Sequence, residues 1–149
     1  MRNLLGVIVL LAGLLAGMPL WAAGEATPDE AKAMAIKAAE YLKSAGPEQA
    51  FAAFDAKDGP WHDRDLYVVV QNSQGVMVAH GVNAGLIGHV VLDLKDVDGR
   101  PFNREMQAVQ NADWVNYKWQ NPTTRAVETK TMYVIREGEY LVGVGAYAR

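Results

Sequence analysis

The sequence contains no cysteine, and this absence excludes disulfides and thiol-based lipid attachment. Serine is scarce as well, with Ser44 at a predicted helix end and Ser73 in a predicted turn. A hydrolase that uses an activated nucleophile needs a serine or cysteine beside a base, so this enzyme class has few candidate residues. Without disulfides the fold depends on a packed core, and a domain of about 125 residues buries roughly two-thirds of its unfolded surface.

No charge sign dominates the chain either. Seventeen acidic side chains stand against fourteen basic ones, giving a formal net charge of −3, and the two signs are well mixed. A nucleic-acid partner would demand a basic face, so the composition argues against one. A glycosidase needs two carboxyls that face one cleft, whereas most acidic residues here fall in predicted turns or on helix faces. We therefore predict that the protein is not an enzyme and holds no cofactor.

Metal sites have little support in the sequence. The three histidines lack the spacing of zinc ligands. The acidic stretch at residues 93–99 resembles a calcium loop, but with Gly99 at its sixth position Leu94 would take the first, where an oxygen ligand is required. A turn at Asp98 and Gly99 followed by a helix start explains the stretch more simply.

The only long apolar run lies at the N-terminus. Arg2 gives a short positive start, residues 4–16 are apolar, and small residues follow at positions 22–24. This is the pattern of a secretory signal peptide, so we expect residues 1–24 to be removed and the protein to reach the periplasm. The alternative is an uncleaved anchor, because the uncharged stretch is long enough to cross a bilayer, although two glycines and a proline weaken such a helix.

Residues 25–149 are predicted to form one α+β domain. Thr27, Pro28 and Glu30 are helix-start signals, and apolar residues continue at helical spacing until the helix ends near Gly46. A short second helix begins at Pro47. Five strands follow, at residues 66–71, 76–80, 113–120, 128–136 and 139–148, and a short helix begins near residue 102. The order predicts a long N-terminal helix packed on a five-stranded antiparallel sheet.

The first predicted hairpin places an aromatic side chain near a histidine. If the turn is symmetric about Ser73 and Gln74, Tyr67 lies directly opposite His80 on one face of the sheet. A bulge at Gly75 would change that register. The connection from residue 81 to 99 is long and irregular, and such loops in compact domains are often binding loops.

The stretch DWVNYKWQ concentrates rings around a lysine. Period-two alternation puts its side chains on two faces: Val115, Tyr117 and Trp119 on one, and Trp114, Asn116 and Lys118 on the other. Neither face is purely apolar, so the strand is predicted to contribute to a ligand pocket as well as to the core.

The closing hairpin brings glycines towards a second lysine. A two-residue turn at residues 137–138 would set Lys130 opposite Gly145, and Tyr117 would face Lys130 from the neighbouring strand. Glycines weaken a strand unless something must approach closely, so we expect a depression beside Lys130. A cation, an aromatic wall and a floor without side chains suit a small anion with a short apolar part. The alternative is a solvated lysine and rings that belong to the core.

Four segments in this order resemble the single Cache domains of bacterial chemoreceptors and sensor kinases: DLYVVVQNSQGVMVAH, GLIGHVVLDLKDVDGRPF, DWVNYKWQNPTT and YLVGVGAY. The resemblance runs from about Glu30 to Tyr147. It implies a PAS-like antiparallel sheet with a pocket between the sheet and the inserted loop region. It also implies sensing of small organic acids such as acetate, propionate, pyruvate or lactate.

The resemblance further implies which residues form the pocket. Carried over by position, they are Tyr67, His80, Trp119, Lys130 and Tyr133, with Trp114 and Tyr117 nearby. Lys130 would pair with the ligand carboxylate, while tyrosine and histidine would donate hydrogen bonds and Trp119 would cover the apolar part. Alternation nevertheless places Tyr133 on the sheet face opposite to Lys130.

The chain departs from the family pattern in three respects. The family often has proline after the histidine and a basic residue at the position of His89, whereas this chain reads AHGV and IGHV there. A glycine pair usually precedes the tryptophan, and this chain has Ala112 and Asp113 instead. The sequence stops at Arg149, directly after the last predicted strand, so we expect it to act through a membrane receptor or kinase partner. Two functions stay open: a periplasmic module that binds a small carboxylate, or an interaction subunit with a vestigial pocket.

Overall fold

The structure is a computed structural model that describes residues 24–148. The predicted signal peptide, residues 1–24, therefore lies outside the described residues except for Gly24. Between residues 24 and 148, no helix combines the length and the apolar character that crossing a membrane requires.

Two helices open the described chain. Helix α1 spans Pro28–Ala45, and its start has the predicted reciprocal capping: Thr27 accepts from the backbone N–H of Glu30 at 3.2 Å, and the Glu30 carboxylate accepts from the N–H of Thr27 at 2.7 Å. The helix ends at Gly46, where φ is +84° and a side chain would be strained. Helix α2, Pro47–Asp55, follows at once.

The sheet contains the five predicted strands and one short addition. The strands are β1 (His62–Asp63), β2 (Leu66–Asn72), β3 (Met77–His80), β4 (Ala112–Gln120), β5 (Val127–Glu137) and β6 (Tyr140–Ala148). All pairs are antiparallel, in the order β1-β2-β6-β5-β4, with β3 also pairing with β2. A 3-10 turn at Ala84–Leu86 and helix α3, Phe102–Gln107, lie between β3 and β4. The predicted α+β class is confirmed.

The β2–β3 register differs from the symmetric prediction. His80 pairs with Val69 rather than with Tyr67, and the register then shifts because Ala79 pairs with Val70 and Met77 with Gln71. The extra residue is a β-bulge in β3. Tyr67 and His80 still share a face, because moving a partner by two positions preserves the side of the sheet on which it lies.

The β5–β6 register is also moved by two positions. The turn residues are Gly138 and Glu139, since Glu137 pairs with Tyr140. Gly138 has φ +59° at the first central position, where a type II′ turn requires glycine. Lys130 therefore lies opposite Tyr147, not opposite Gly145.

The β4–β5 register is as predicted, with Tyr117 opposite Lys130 and Gln120 opposite Val127. This hairpin aligns the aromatic stretch with the lysine strand over nine residue pairs.

The two faces of the sheet are buried by different elements. Helices α1 and α2 cover one face, where valines of β2 and β6 pack against buried alanines of α1 and against Phe54. The connection between β3 and β4 covers the other face through Phe102 and Met106. Among the described residues, the buried members of both clusters lie between residues 26 and 147.

Candidate functional site

A cavity lies between the sheet and the connection from β3 to β4, on the face that is not covered by α1 and α2. Its empty space is about 330 Å³, including the part open to solvent, but the space that a water-sized molecule can occupy holds only about one water. The residues that line it are Tyr67, Val69, Gln71, Met77, His80, Leu86, Leu94, Phe102, Asn103, Met106, Tyr117 and Trp119. The lining is mainly apolar, with polar groups gathered at its two ends.

Lys130 is fully buried beside the Tyr67 end of this cavity. Its ammonium group donates to the Tyr67 hydroxyl at 2.8 Å and lies 4.0 Å and 4.9 Å from the ring centres of Tyr67 and Tyr147. Both rings therefore offer cation–π contacts. Among residues 24–148, no carboxylate lies within 4.0 Å of this ammonium group.

The predicted depression beside Lys130 is filled by the lysine itself. A Cβ atom placed on Gly145 would lie 2.5 Å from Lys130 Cε and 3.0 Å from its Cγ. Gly145 thus leaves room for the lysine stem rather than for a ligand. Lys130 is not part of the cavity lining, whereas the Tyr67 ring, which it contacts, is.

A chain of hydrogen bonds continues from Lys130 across the sheet. The Tyr67 and Tyr147 hydroxyls are 3.1 Å apart, and Tyr147 donates to the backbone carbonyl of Gln120 at 3.0 Å. Burial is the main cause that raises the pKa of the Tyr147 hydroxyl, so this group stays protonated and able to donate.

His80 is held as a neutral donor. Its Nδ1 accepts from the backbone N–H groups of Asn83 at 2.9 Å and Val82 at 3.3 Å. Burial, with the positive charge of Lys130 as a further cause, lowers the pKa of His80 to about 3. The one proton of the neutral ring therefore sits on Nε2, and the ring packs against Tyr67 with centroids 5.3 Å apart.

Three rings form the aromatic wall. Phe102 of α3 stacks on Tyr117 with centroids 4.1 Å apart and an interplanar angle of 5°, and Trp119 lies 5.4 Å from Phe102. The Phe102 contact also fastens α3 to the sheet. Burial raises the pKa of the Tyr117 hydroxyl well above its usual value, so it remains neutral.

The far end of the cavity is closed by amides that the sequence did not suggest. Gln71 Nε2 donates to Asn103 Oδ1 at 2.6 Å, and Gln107 Nε2 donates to Gln71 Oε1 at 3.1 Å. Gln71 falls on the Tyr67 face by alternation, which was a usable signal. Asn103 needed the fold, because it comes from the inserted helix.

The structure brings five of the seven sequence-predicted site residues together. Tyr67, His80, Tyr117 and Trp119 line the cavity, and Lys130 lies behind Tyr67. Tyr147, which the predicted register did not indicate, lies directly opposite Lys130.

Trp114 and Tyr133 lie elsewhere. They face away from the cavity and pack on each other with ring centroids 4.8 Å apart. Tyr133 packs against the helix-side core, and the Lys32 ammonium of α1 lies 5.1 Å from its ring centre. The alternation of β5 places Tyr133 and Lys130 on opposite faces, as the pattern indicated.

The acidic stretch at residues 93–99 is organised by its own chain. Asp96 accepts from the backbone N–H groups of Asp98, Arg100 and Lys118, each at 2.9 Å, and these donors lower the pKa of Asp96. Asp98 pairs with the Lys118 ammonium at 2.7 Å. Within the described part of the chain, no group of three or more histidine or acidic side chains is arranged to hold a metal.

The amino-acid sequence matches a known protein family and a curated relative. The sequence profile of the family named Single Cache domain 2 matches residues 14–149. Sensor histidine kinase MctS of Rhizobium johnstonii is 31% identical over 90 residues, which is 58% of this chain and 20% of the kinase. The chain thus spans about a fifth of that relative.

Solved structures share the fold at low sequence identity. A methyl-accepting chemotaxis protein from Vibrio parahaemolyticus superposes with a TM-score of 0.67 at 24% identity, over 80% of this chain and 86% of that one. A Cache chemosensory domain that recognises carboxylic acid gives 0.68 at 24% identity, over 81% and 92%. A periplasmic sensor domain of a chemotaxis protein gives 0.63 at 20% identity, over 81% and 90%.

Proposed function

Since the chain belongs to the Single Cache domain 2 family, we propose that it is an exported sensor module that binds a small organic acid. It acts in signal transduction through a membrane receptor or kinase and is not an enzyme. The chemotaxis and kinase relatives support the signalling role, and the structural neighbour that recognises carboxylic acid supports the ligand class. The binding residues in this proposal are Tyr67, His80, Tyr117, Trp119 and Lys130.

The observation that carries the proposal is the burial of Lys130. Its side chain is fully buried, yet none of the described carboxylates reaches its ammonium group. Removing an ammonium from water without a paired anion is costly. A ligand carboxylate would supply the missing negative charge, and hydrogen bonds between charged partners are about twice as strong as neutral ones.

The rest of the lining favours a ligand with one negative charge. The cavity wall consists of apolar or neutral side chains. A second carboxylate would lie there without a cation, and an ammonium group would lie near Lys130 without an acidic partner in the lining. Short monocarboxylates such as acetate, propionate, pyruvate or lactate fit this arrangement better than dicarboxylates or amino acids.

The narrowness of the cavity favours a second candidate function. With room for about one water molecule, the cavity is nearly filled by its own side chains. In this alternative the domain is an interaction or assembly subunit whose pocket is vestigial. The two functions differ in one property, because only a working pocket gives stabilisation that depends on a ligand.

A thermal-shift screen separates these functions. Residues 25–149 would be melted with millimolar acetate, propionate, pyruvate, lactate, succinate and alanine. A ligand at a hundred times its dissociation constant adds about 2.7 kcal/mol to the stability. We expect a rise in Tm with one or more monocarboxylates and none with succinate or alanine. No rise with any compound would reject the carboxylate sensor and favour the interaction subunit.

The role of Lys130 is tested by Lys130→Met. Methionine fills the space of the lysine stem, whereas alanine would leave a cavity. Because no described carboxylate pairs with Lys130, its replacement leaves no buried charge unpaired, so the variant should fold about as well as the wild type. Its affinity for the acid should fall about ten- to a hundredfold, the loss of one charge-assisted hydrogen bond. Calorimetry that finds unchanged affinity would remove Lys130 from the site.

A further inference from the structure

The hydrogen bonds that begin at Lys130 have only one possible direction. The carbonyl of Gln120 can only accept, so Tyr147 gives its single hydroxyl proton to that carbonyl. Tyr147 must then accept from Tyr67, and Tyr67 in turn accepts from Lys130. Both hydroxyl protons are therefore committed.

This directed chain runs from β2 through Tyr147 of β6 to Gln120 of β4, and the C-terminal end of β6 has a strand partner on one side only. Pairing between β2 and β6 extends only to Val68 and Val144, so residues 145–148 have a ladder partner on one side, strand β5. The Tyr147 side chain bonds add contacts to β2 and to the end of β4. The segment at residues 145–148 is thus held partly by the Tyr67 hydroxyl.

An anion in the cavity would compete for the same hydroxyl. Tyr67 lines the cavity, whereas Lys130 does not and has its ammonium group 4.0 Å from the Tyr67 ring centre, so a ligand in the cavity meets Tyr67 first. The anion must either take the Tyr67 proton or reach Lys130 after Tyr67 has moved. Both routes end the donation from Tyr67 to Tyr147.

We propose that Tyr147 is a positioning residue that couples the state of the Tyr67–Lys130 pair to the C-terminal segment of β6, residues 145–148. When Tyr67 donates to Tyr147 the segment is held, and when the donation ends the segment loosens. The part of this inference that concerns a bound acid rests on the proposed function. The coupling between the two tyrosines does not.

The first test needs no ligand. Amide hydrogen exchange would be measured for residues 25–149 in the wild type, Tyr67→Phe, Tyr147→Phe and the double variant. A net hydrogen bond of about 1 kcal/mol corresponds to about fivefold faster exchange through local opening. We expect this acceleration at residues 145–148 in Tyr67→Phe and a larger one in Tyr147→Phe, which also loses the bond to Gln120. The double variant should exchange no faster than Tyr147→Phe. Tyr140→Phe, at the other end of β6, should exchange as the wild type does in that segment.

The second test adds propionate, or whichever acid raises Tm in the screen. Saturation should accelerate exchange at residues 145–148 in the wild type. Tyr147→Phe should bind the acid with affinity within about threefold of the wild type, because neither of the two neutral hydrogen bonds that it loses is made to the ligand. Its exchange should not respond to the acid. A structural role alone would not remove the response to the acid.

Either of two results would overturn the coupling. One is wild-type exchange at residues 145–148 in Tyr67→Phe. The other is an acid that binds the wild type and leaves exchange in that segment unchanged. If no acid binds, the proposed function fails, and the ligand-free comparison of the two tyrosine variants alone decides the coupling.

Discussion

At the scale of single residues, the polar end of the cavity places a charged lysine beside a neutral histidine. Two backbone N–H groups direct the acceptor nitrogen of His80, and burial disfavours its protonation. Lys130 adds to this effect because a second positive charge nearby would be repelled. The lining therefore presents the neutral N–H donor of His80, and the Lys130 ammonium group lies behind Tyr67.

The neutrality of His80 predicts how stability depends on pH. The pKa of His80 is about 3 in the folded protein and 6.5 as its ordinary value, so the unfolded chain takes up a proton that the folded chain does not. Stability that is fully present above pH 6.5 is lost as the pH falls towards 3, at up to about 1.4 kcal/mol per pH unit. Urea denaturation should show a loss of about 2 kcal/mol between pH 6.5 and 5.

Two variants identify the residue responsible. His80→Asn keeps a side-chain acceptor for the backbone N–H groups but does not titrate, so its unfolding free energy should lack this slope. His89→Asn removes an exposed histidine and should keep it. Equal slopes in the wild type and His80→Asn would contradict the assignment.

At the scale of elements, β6 shows why a central strand contains two glycines on one face. A Cβ on Gly143 would lie 2.6 Å from the sulfur of Met132, and one on Gly145 would meet the stem of Lys130. The large side chains of Met132 and Lys130 in β5 thus lie across the backbone of β6 at these two glycines. The glycines therefore position the side chains of the neighbouring strand.

Gly145→Ala should disturb the site specifically. The added methyl group has no room beside Lys130, and such overpacking costs about 1–3 kcal/mol. The displaced lysine should also bind the acid more weakly. Gly143→Ala is the matched control, because it presses on the flexible Met132 rather than on Lys130 and should lower stability with a smaller loss of affinity. Denaturation measures the stability of both variants, and calorimetry measures their affinity for the acid. An equal loss of affinity in the two would argue against a specific role of Gly145 beside Lys130.

At the scale of the whole molecule, the two faces of the sheet differ in what they contribute. The helix-covered face is packed with small and branched apolar side chains and stabilises the fold, whereas the opposite face holds the cavity. The start of the domain is also fastened: Asp65 accepts from the N–H of Ala26 at 3.1 Å, and Arg64 donates to the carbonyl of Glu25 at 2.9 Å. These two contacts hold the residues that directly follow the predicted signal peptide.

This boundary predicts the mature form. We expect the exported protein to begin at Glu25, and intact mass spectrometry of a periplasmic fraction would show it. Ala22→Phe should block removal of residues 1–24, because signal peptidase requires small residues at alternate positions before the cleaved bond. Ala23→Phe, at the intervening position, should be processed as the wild type is. A membrane-bound protein that retains its N-terminus would contradict this boundary.

The sequence alone determined the fold class and the face of the sheet on which most site residues lie. Alternation placed Tyr117, Trp119 and Lys130 on one face and Tyr133 on the other, and the capping signals located α1. These predictions succeeded because a period of two and a capping box are local properties of the chain. They do not depend on which residue lies opposite which.

Only the tertiary structure decided which side chains meet. The bulge in β3 sets a β2–β3 register that a symmetric turn does not predict. The turn at Gly138, with its positive φ, sets the β5–β6 register that places Tyr147 opposite Lys130. Helix α3, in the connection between β3 and β4, brings Asn103 to the cavity. Lys130 is fully buried next to Tyr67 and does not line the cavity. Each depends on backbone conformation at one turn or on contacts between distant segments, and no local pattern in the sequence encodes such contacts.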